Sequence, residues 1–283
     1  MTEGLLLIDK PEGITSHDAV DRVRRALGVR KVGHAGTLDP MATGLLVMGV
    51  GRGTRLLRFL ADLDKEYEGT GRLGVETDTL DATGRVLRTA PAEGVSEDAL
   101  GEAMAALVGP IEQVPPAYSA VKVGGRRMYD AARRGERVEA RARPVRVDSF
   151  VPTGFHRPDF DFRVVCSSGT YVRALVADVG TALGCGAHLI RLTRTRIGPF
   201  RLDGARSPDR PGEPLPPGGA VAHLPRLDLD AQEAAAARHG RCLGPSGHLG
   251  PHGVFGPDGE LIGVFRDTGT KSCPEVVLAP GPG

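Results

Sequence analysis

Residues 33–46 read GHAGTLDPMATGLL, and this stretch places one carboxylate, Asp39, in a turn built for exposure. Gly33, Gly36 and Gly44 permit tight backbone excursions, while Pro40 fixes φ and removes a donor directly after the acid. The apolar run Leu45, Leu46, Val47 then resumes a core strand. An Asp-Pro turn alone is ordinary loop chemistry, so the meaning of Asp39 depends on its surroundings. Upstream, residues 4–9 read as a short buried strand. Thr15 or Ser16 can cap a helix reaching about residue 27, with Ala19, Val20, Val23 and Leu27 at helical spacing.

Downstream, residues 45–50 predict a strand, GRGTRLLRFL opens a helix at Thr54, and residues 67–75 alternate as a strand does before a turn-rich loop at 77–83. Ser96 caps an amphipathic helix with Leu100, Met104 and Leu107 facing inward. Strands near 145–151 and 160–166 precede a helix from about Tyr171 to Leu183. Strands interleaved with helices over two hundred residues predict an α+β or α/β mixture, with sheet polarity open. The segment SPDRPGEPLPPGG, residues 207–219, carries five prolines and reads as a linker. Beyond it come an Ala-rich helix near 230–239, a hairpin at GVFGPDGELIGVF and a last strand at 275–278.

The chain has 283 residues and a net charge of +1, which hides segregation. Residues 22–58 hold eight Lys/Arg against the single acid Asp39, residues 121–147 hold nine against three, and residues 163–201 hold six against one. Three basic blocks in a near-neutral chain predict an electropositive face for a polyanion, nucleic acid being favoured because no block has the apolar face of a membrane helix. LLLI at residues 5–8 is too short for a signal or membrane segment, so a cytoplasmic product is expected. Cys166, Cys185, Cys242 and Cys273 lack CxxC or Cys/His spacing and read as free thiols in a reducing compartment, not as a disulfide frame or zinc site.

Four separated blocks carry a family resemblance: LLLIDKPEGITSHDAV (5–20), the Asp39 segment, KEYEGTGRLGVETDTLDATG (65–84) and CSSGTYVRALVADVG (166–180). Together they resemble the bacterial tRNA pseudouridine-55 synthase family. The resemblance implies isomerisation of uridine to pseudouridine in the tRNA T arm, with no cofactor or metal and an expected monomer. It also implies an α+β catalytic domain over 1–206, with a mixed, largely antiparallel sheet and flanking helices. An RNA-clasping insertion falls at about 115–147, a linker at 207–219 and a small PUA-like, β-rich RNA-binding domain at 220–283.

By the same resemblance Asp39 is the catalytic acid and Arg173 keeps it ionised through a fork of donors. Tyr67 stacks on the target base and assists proton removal. His34 favours the flipped-out base, Lys10 lies beside the catalytic loop, and Leu192 is an apolar wall under the base. Tyr171 is a second stacking candidate in a chain with four tyrosines and no tryptophan. Arg126 and Arg127 sit in the block PPAYSAVKVGGRRMYDAARRGE and grip RNA. Thr193 departs from the resembled pattern, where an Arg is common. The competing GVGRGT at 49–54 is GxGxG and not GxGxxG, which weighs against a dinucleotide site. An inert RNA-binding or tRNA-folding protein of the same fold is the alternative, weakened by the intact Asp39, Tyr67 and Arg173.

Overall fold

The computed structural model describes residues 3–116, 122–123, 126–127 and 141–278. Packing divides the chain into two compact units: Met1–Pro40, Gly44–Asp62 and Gly198–Gly283 in the first, Met41–Thr43 and Leu63–Ile197 in the second. The division does not fall at 207–219, where composition predicts a linker.

In the first unit β1 (Gly4–Lys10) leads into α1 (Ser16–Leu27), then β2 (Val32–His34) and β3 (Thr43–Val50). β3 pairs antiparallel with both β1 and β2. Thr15 and Asp18 form a reciprocal capping box on α1, and Gly28 ends it at φ 65°, the left-handed conformation that glycine adopts most readily. The helix buries Ala19, Val20 and Val23 against Leu6, Ile8, Leu46 and Met48. Deleting a large side chain from such a core costs about 2–5 kcal/mol.

The helix expected from Thr54 is instead a 3-10 helix over Gly51–Phe59. Two glycines of the GVGRGT run serve backbone packing: a Cβ on Gly53, in the helix, would lie 2.2 Å from the Gly4 carbonyl oxygen, and one on Gly49, in β3, would lie 2.8 Å from the Gly53 carbonyl. Close approach explains GVGRGT without a nucleotide.

The second unit comprises β4 (Lys65–Leu73), β5 (Val75–Thr77), β6 (Val86–Thr89), α2 (Glu97–Ala105), β7 (Gly109–Gln113), β8 (Lys122–Val123), β9 (Arg126–Arg127), β10 (Arg143–His156), β11 (Asp159–Cys166), α3 (Val172–Ala182) and β12 (Ala187–Ile197). Its main sheet has the order β12-β4-β11-β10-β7, and the pairings β10–β11, β10–β7, β11–β4 and β12–β4 are antiparallel, as the family fold implies. The strand expected over 67–75 breaks at Gly74, whose φ is +84°. Gly69 and Gly71 on β4 leave room for aromatic rings, since a Cβ there would meet Phe162 at 2.6 Å and Phe160 at 2.4 Å. Phe162 also packs edge-on to Phe150 at 5.4 Å.

The first unit resumes with β13 (Phe200–Arg201), β14 (Arg226–Asp228), α4 (Ala231–Arg238), β15 (Pro251–Phe255), β16 (Leu261–Asp267) and β17 (Ser272–Val277). The last strand therefore starts three residues before the expected 275. A four-stranded sheet of order β14-β15-β16-β17 results, parallel only between β14 and β15. The expected hairpin forms, with Gly259 at φ 76° in its turn. The proline-rich segment is tied to β1: Arg206 exchanges backbone bonds of 2.8 Å with Leu7 and Asp9, and Leu215 pairs with Leu5 at 2.7 and 3.0 Å. Low hydrophobicity signalled a linker, but an open strand edge supplied backbone partners.

Cysteine usage is also corrected. Cys242 and Cys273 form a disulfide, leaving Cys166 and Cys185 as buried free thiols. Reciprocal backbone bonds between Leu243 and Ser272, of 2.8 and 3.1 Å, align the two cysteines across a separation of 31 residues that no sequence spacing reveals. Burial pushes the Cys166 thiol up to about 11. Two thiols are therefore expected to react with a thiol-counting reagent after denaturation without reductant and four after reduction, with none in the native protein at pH 8. Four thiols in unreduced, denatured protein would refute the bond.

No described helix is long and apolar enough to cross a membrane.

Candidate active site

Asp39 lies, half-buried, in the loop that joins β2 to β3. These strands are antiparallel neighbours, with His34 opposite Met48 and the Ala35 amide donating to the Val47 carbonyl at 2.9 Å, so both ends of the loop are pinned. Within it the two residues flanking Asp39 are held from the chain around the start of α1. Ser16 Oγ accepts from the Leu38 amide at 2.8 Å and donates to the Leu38 carbonyl at 3.1 Å. The Pro40 carbonyl accepts from the Gly13 amide at 2.9 Å and from Lys10 Nζ at 3.3 Å.

Lys10 is fully buried, and its ammonium also donates to the carbonyls of Pro11 at 2.9 Å and Ile14 at 2.8 Å. A buried cation requires such compensation. Carbonyl oxygens supply it here, and the side chain ties the β1–α1 connection to the residue after Asp39. Lys10 thus stands beside the Asp39 loop and bonds to it through the Pro40 carbonyl. His34, at the end of β2, is half-buried at the foot of the same loop.

In the second unit Tyr67 and Leu192 come together. β4 faces β12 with Tyr67 opposite Arg194 and Leu192 opposite Gly69, so Tyr67, Leu192 and Arg194 share one face of the sheet. That face is buried, with exposures of 7%, 6% and 1% respectively. Thr193 points the other way along the strand, and its hydroxyl meets that of Thr43 at 2.8 Å. Thr193 therefore serves as a hydroxyl partner for the residue that starts β3.

Tyr171 is the N-cap of α3, and its backbone is held by Gln113, which accepts from the Tyr171 amide at 2.7 Å and donates to its carbonyl at 3.1 Å. Two residues on, Arg173 sits in the first turn of α3. Its Nη1 donates to the Thr79 carbonyl at 2.7 Å and to Asp81 Oδ2 at 3.1 Å, and the two side chains are only 4% and 5% exposed. Asp81 is fully engaged on its other oxygen, where Oδ1 accepts from Thr79 Oγ1 at 2.7 Å, the Thr83 amide at 3.0 Å and Thr83 Oγ1 at 2.6 Å. Between these residues Leu80 holds φ +62°, a left-handed conformation costing a non-glycine residue roughly 1–2 kcal/mol. The Arg173–Asp81 pair holds that turn in place.

The sequence singles out Arg173, which the structure places against Asp81, and gives no prominence to Asp81, Gln113 or Ser16. Asp81 stands in the matched block DTLDATG, so a carboxylate inside a family motif was the available signal. Ser16 had none, because a serine at a helix start is normally accounted for by capping. Arg126 and Arg127 form the short strand β9 opposite β8, with Lys122 facing Arg127. The rest of the expected clasp, at 117–121, 124–125 and 128–140, lies outside the described residues.

Comparison with known proteins gives the class first. Family models of pseudouridylate synthases cover most of the chain: the TruB family pseudouridylate synthase N-terminal domain matches residues 24–172, the tRNA pseudouridylate synthase B C-terminal domain matches 173–207, and the tRNA pseudouridine synthase II C-terminal domain matches 224–279. Among curated relatives, tRNA pseudouridine synthase B of Thermobifida fusca is 49% identical, covering 99% of both chains. The protein of the same name from Mycobacterium tuberculosis is 47% identical, covering 98% of this chain and 96% of the relative. Among solved structures, a Cbf5–Nop10–Gar1 complex contains a chain superposing with a TM-score of 0.75 at 28% identity, over 98% of this chain and 85% of that one. An H/ACA RNP bound to a substrate RNA containing 2′-deoxyuridine gives 0.73 at 26%, with the same coverage. The chain belongs to the TruB family.

Proposed function

We propose that the chain isomerises uridine to pseudouridine in tRNA, at position 55 of the T loop, with Asp39 as the catalytic carboxylate. The observation that carries this reading is the 49% identity, over 99% of the chain, to a tRNA pseudouridine synthase B. A structural relative bound to a substrate RNA containing 2′-deoxyuridine supports RNA as the ligand class. The reaction breaks the N-glycosidic bond, turns the freed base and rejoins it through carbon. It needs an ionised carboxylate at the sugar or base and a surface that retains the base meanwhile. The resemblance assigns the first to Asp39 and the second to Tyr67 and Leu192. Because a stacked base hides its glycosidic bond, the target must first leave the loop, a step assigned to His34.

The test is direct. Purified protein and an unmodified tRNA transcript, without nucleotide or added cofactor, should yield one pseudouridine, mapped to position 55. No product would overturn the reading, and product at another position would overturn the T-loop assignment.

Tyr67 separates stacking from proton transfer. Tyr67→Phe keeps the ring on the buried face and loses only the hydroxyl, so it is expected to bind tRNA with wild-type affinity and fail to release pseudouridine, as read by filter binding and product mapping. Full turnover in Tyr67→Phe would remove the hydroxyl from the chemistry.

A further inference from the structure

We infer that Ser16 is a positioning residue for Asp39, acting through the backbone of Leu38. This rests on the reading of Asp39 as the catalytic carboxylate. Ser16 is not needed to cap α1. That role is filled by Thr15, whose hydroxyl accepts from the Asp18 amide at 3.0 Å while its own amide donates to Asp18 Oδ2 at 2.8 Å. The Ser16 hydroxyl, in a residue only 2% exposed, is spent 22 residues away on both polar backbone groups of Leu38.

Leu38 is itself 4% exposed and has no strand neighbour, so one hydroxyl does for it what a ladder partner does in a sheet. Its carbonyl lies in the peptide plane that enters Asp39. Holding that oxygen fixes the plane on one side of the Asp39 Cα, and the Gly13 and Lys10 bonds to the Pro40 carbonyl anchor the chain one peptide further on, beyond Pro40. The anchor itself does not drift, because α1 is locked into the core through Ala19, Val20 and Val23. Removing the hydroxyl frees the peptide to turn and swings the carboxylate, and a displacement near 1 Å can cost about a hundredfold in rate.

Ser16→Ala is therefore expected to lower the single-turnover rate about 10- to 100-fold while KM for tRNA stays within about twofold, and Ser16→Thr, which keeps the hydroxyl, should recover most of the rate. Hydrogen exchange at the Leu38 amide, measured without RNA, should be slow in wild type and faster in Ser16→Ala. A wild-type rate in Ser16→Ala, a loss confined to KM, a loss that Ser16→Thr does not recover, or unchanged Leu38 exchange would each overturn the inference. Should Ser16→Ala not accumulate folded, Ser16→Cys carries the test: its weaker hydrogen bonding should give an intermediate rate, and a wild-type rate would overturn the proposal. Wild-type protein that makes no pseudouridine would defeat the Asp39 reading instead, and the exchange measurement would still report on the clamp.

Discussion

Asp39→Asn is expected to abolish pseudouridine formation while leaving tRNA affinity close to wild type. Asparagine matches aspartate in size and can occupy the same turn before Pro40, so the bonds that Ser16, Gly13 and Lys10 make to Leu38 and Pro40 persist. What disappears is the negative charge. Whether the carboxylate adds to C1′, adds to the base or removes a sugar proton, each route starts from the ionised form, and an amide replaces it in none of them. Single-turnover assay on an unmodified transcript checks the rate, and filter binding checks affinity. Residual turnover above about a thousandth of wild type, equivalent to less than about 4 kcal/mol of lost transition-state stabilisation, would remove Asp39 from the catalytic role.

The second large effect is expected at the buried pair. Arg173→Lys conserves charge, yet one ammonium replaces a planar guanidinium whose Nη1 serves both the Thr79 carbonyl and Asp81. We expect a fall in rate of at least about a hundredfold, because lysine cannot reproduce the paired Nη1 bonds to the Thr79 carbonyl and Asp81 that hold the 79–83 turn. Asp81→Ala removes the carboxylate that meets Arg173 Nη1, in a pair whose side chains are only 4% and 5% exposed, and should cost about 3–5 kcal/mol in denaturant unfolding, with activity falling as well. The combined Arg173→Met, Asp81→Leu variant should regain only part of that stability, since apolar packing can replace the ion pair but Thr79 Oγ1 and the Thr83 amide and hydroxyl lose the acceptor that Asp81 Oδ1 gave them. It should not regain activity. Near-normal turnover in Arg173→Lys would show that this arginine contributes charge alone.

Much of the architecture follows from local pattern. The cap at Thr15, the helical spacing of Ala19, Val20 and Val23, the alternating burial of β4 and the turn holding Gly259 are each written within a few residues; the helix and the hairpin appear where expected, and β4 lies two residues earlier, at Lys65–Leu73. Asp39 and Arg173 stand out in the sequence for a different reason, because motif blocks carry their neighbours with them. The misreadings share one cause. The helix at 51–59 tightened to a 3-10 helix because Gly53 packs on the Gly4 backbone, and the segment around Leu215 was drawn onto the edge of β1. Neither partner is near in sequence.

The sequence by itself determined the caps and core faces of the helices and the acid in its turn, because hydrophobic period, φ preference and capping act over one to four residues, and its motif blocks carried the family and with it the α+β class. Tertiary structure alone decided that Arg173 pairs with Asp81 across 92 residues, that Cys242 bonds Cys273 across 31, and that Ser16 holds Leu38 across 22. A hydrogen bond or disulfide depends on angstrom-scale proximity, which the chain acquires only when its strands have paired and its helices have packed.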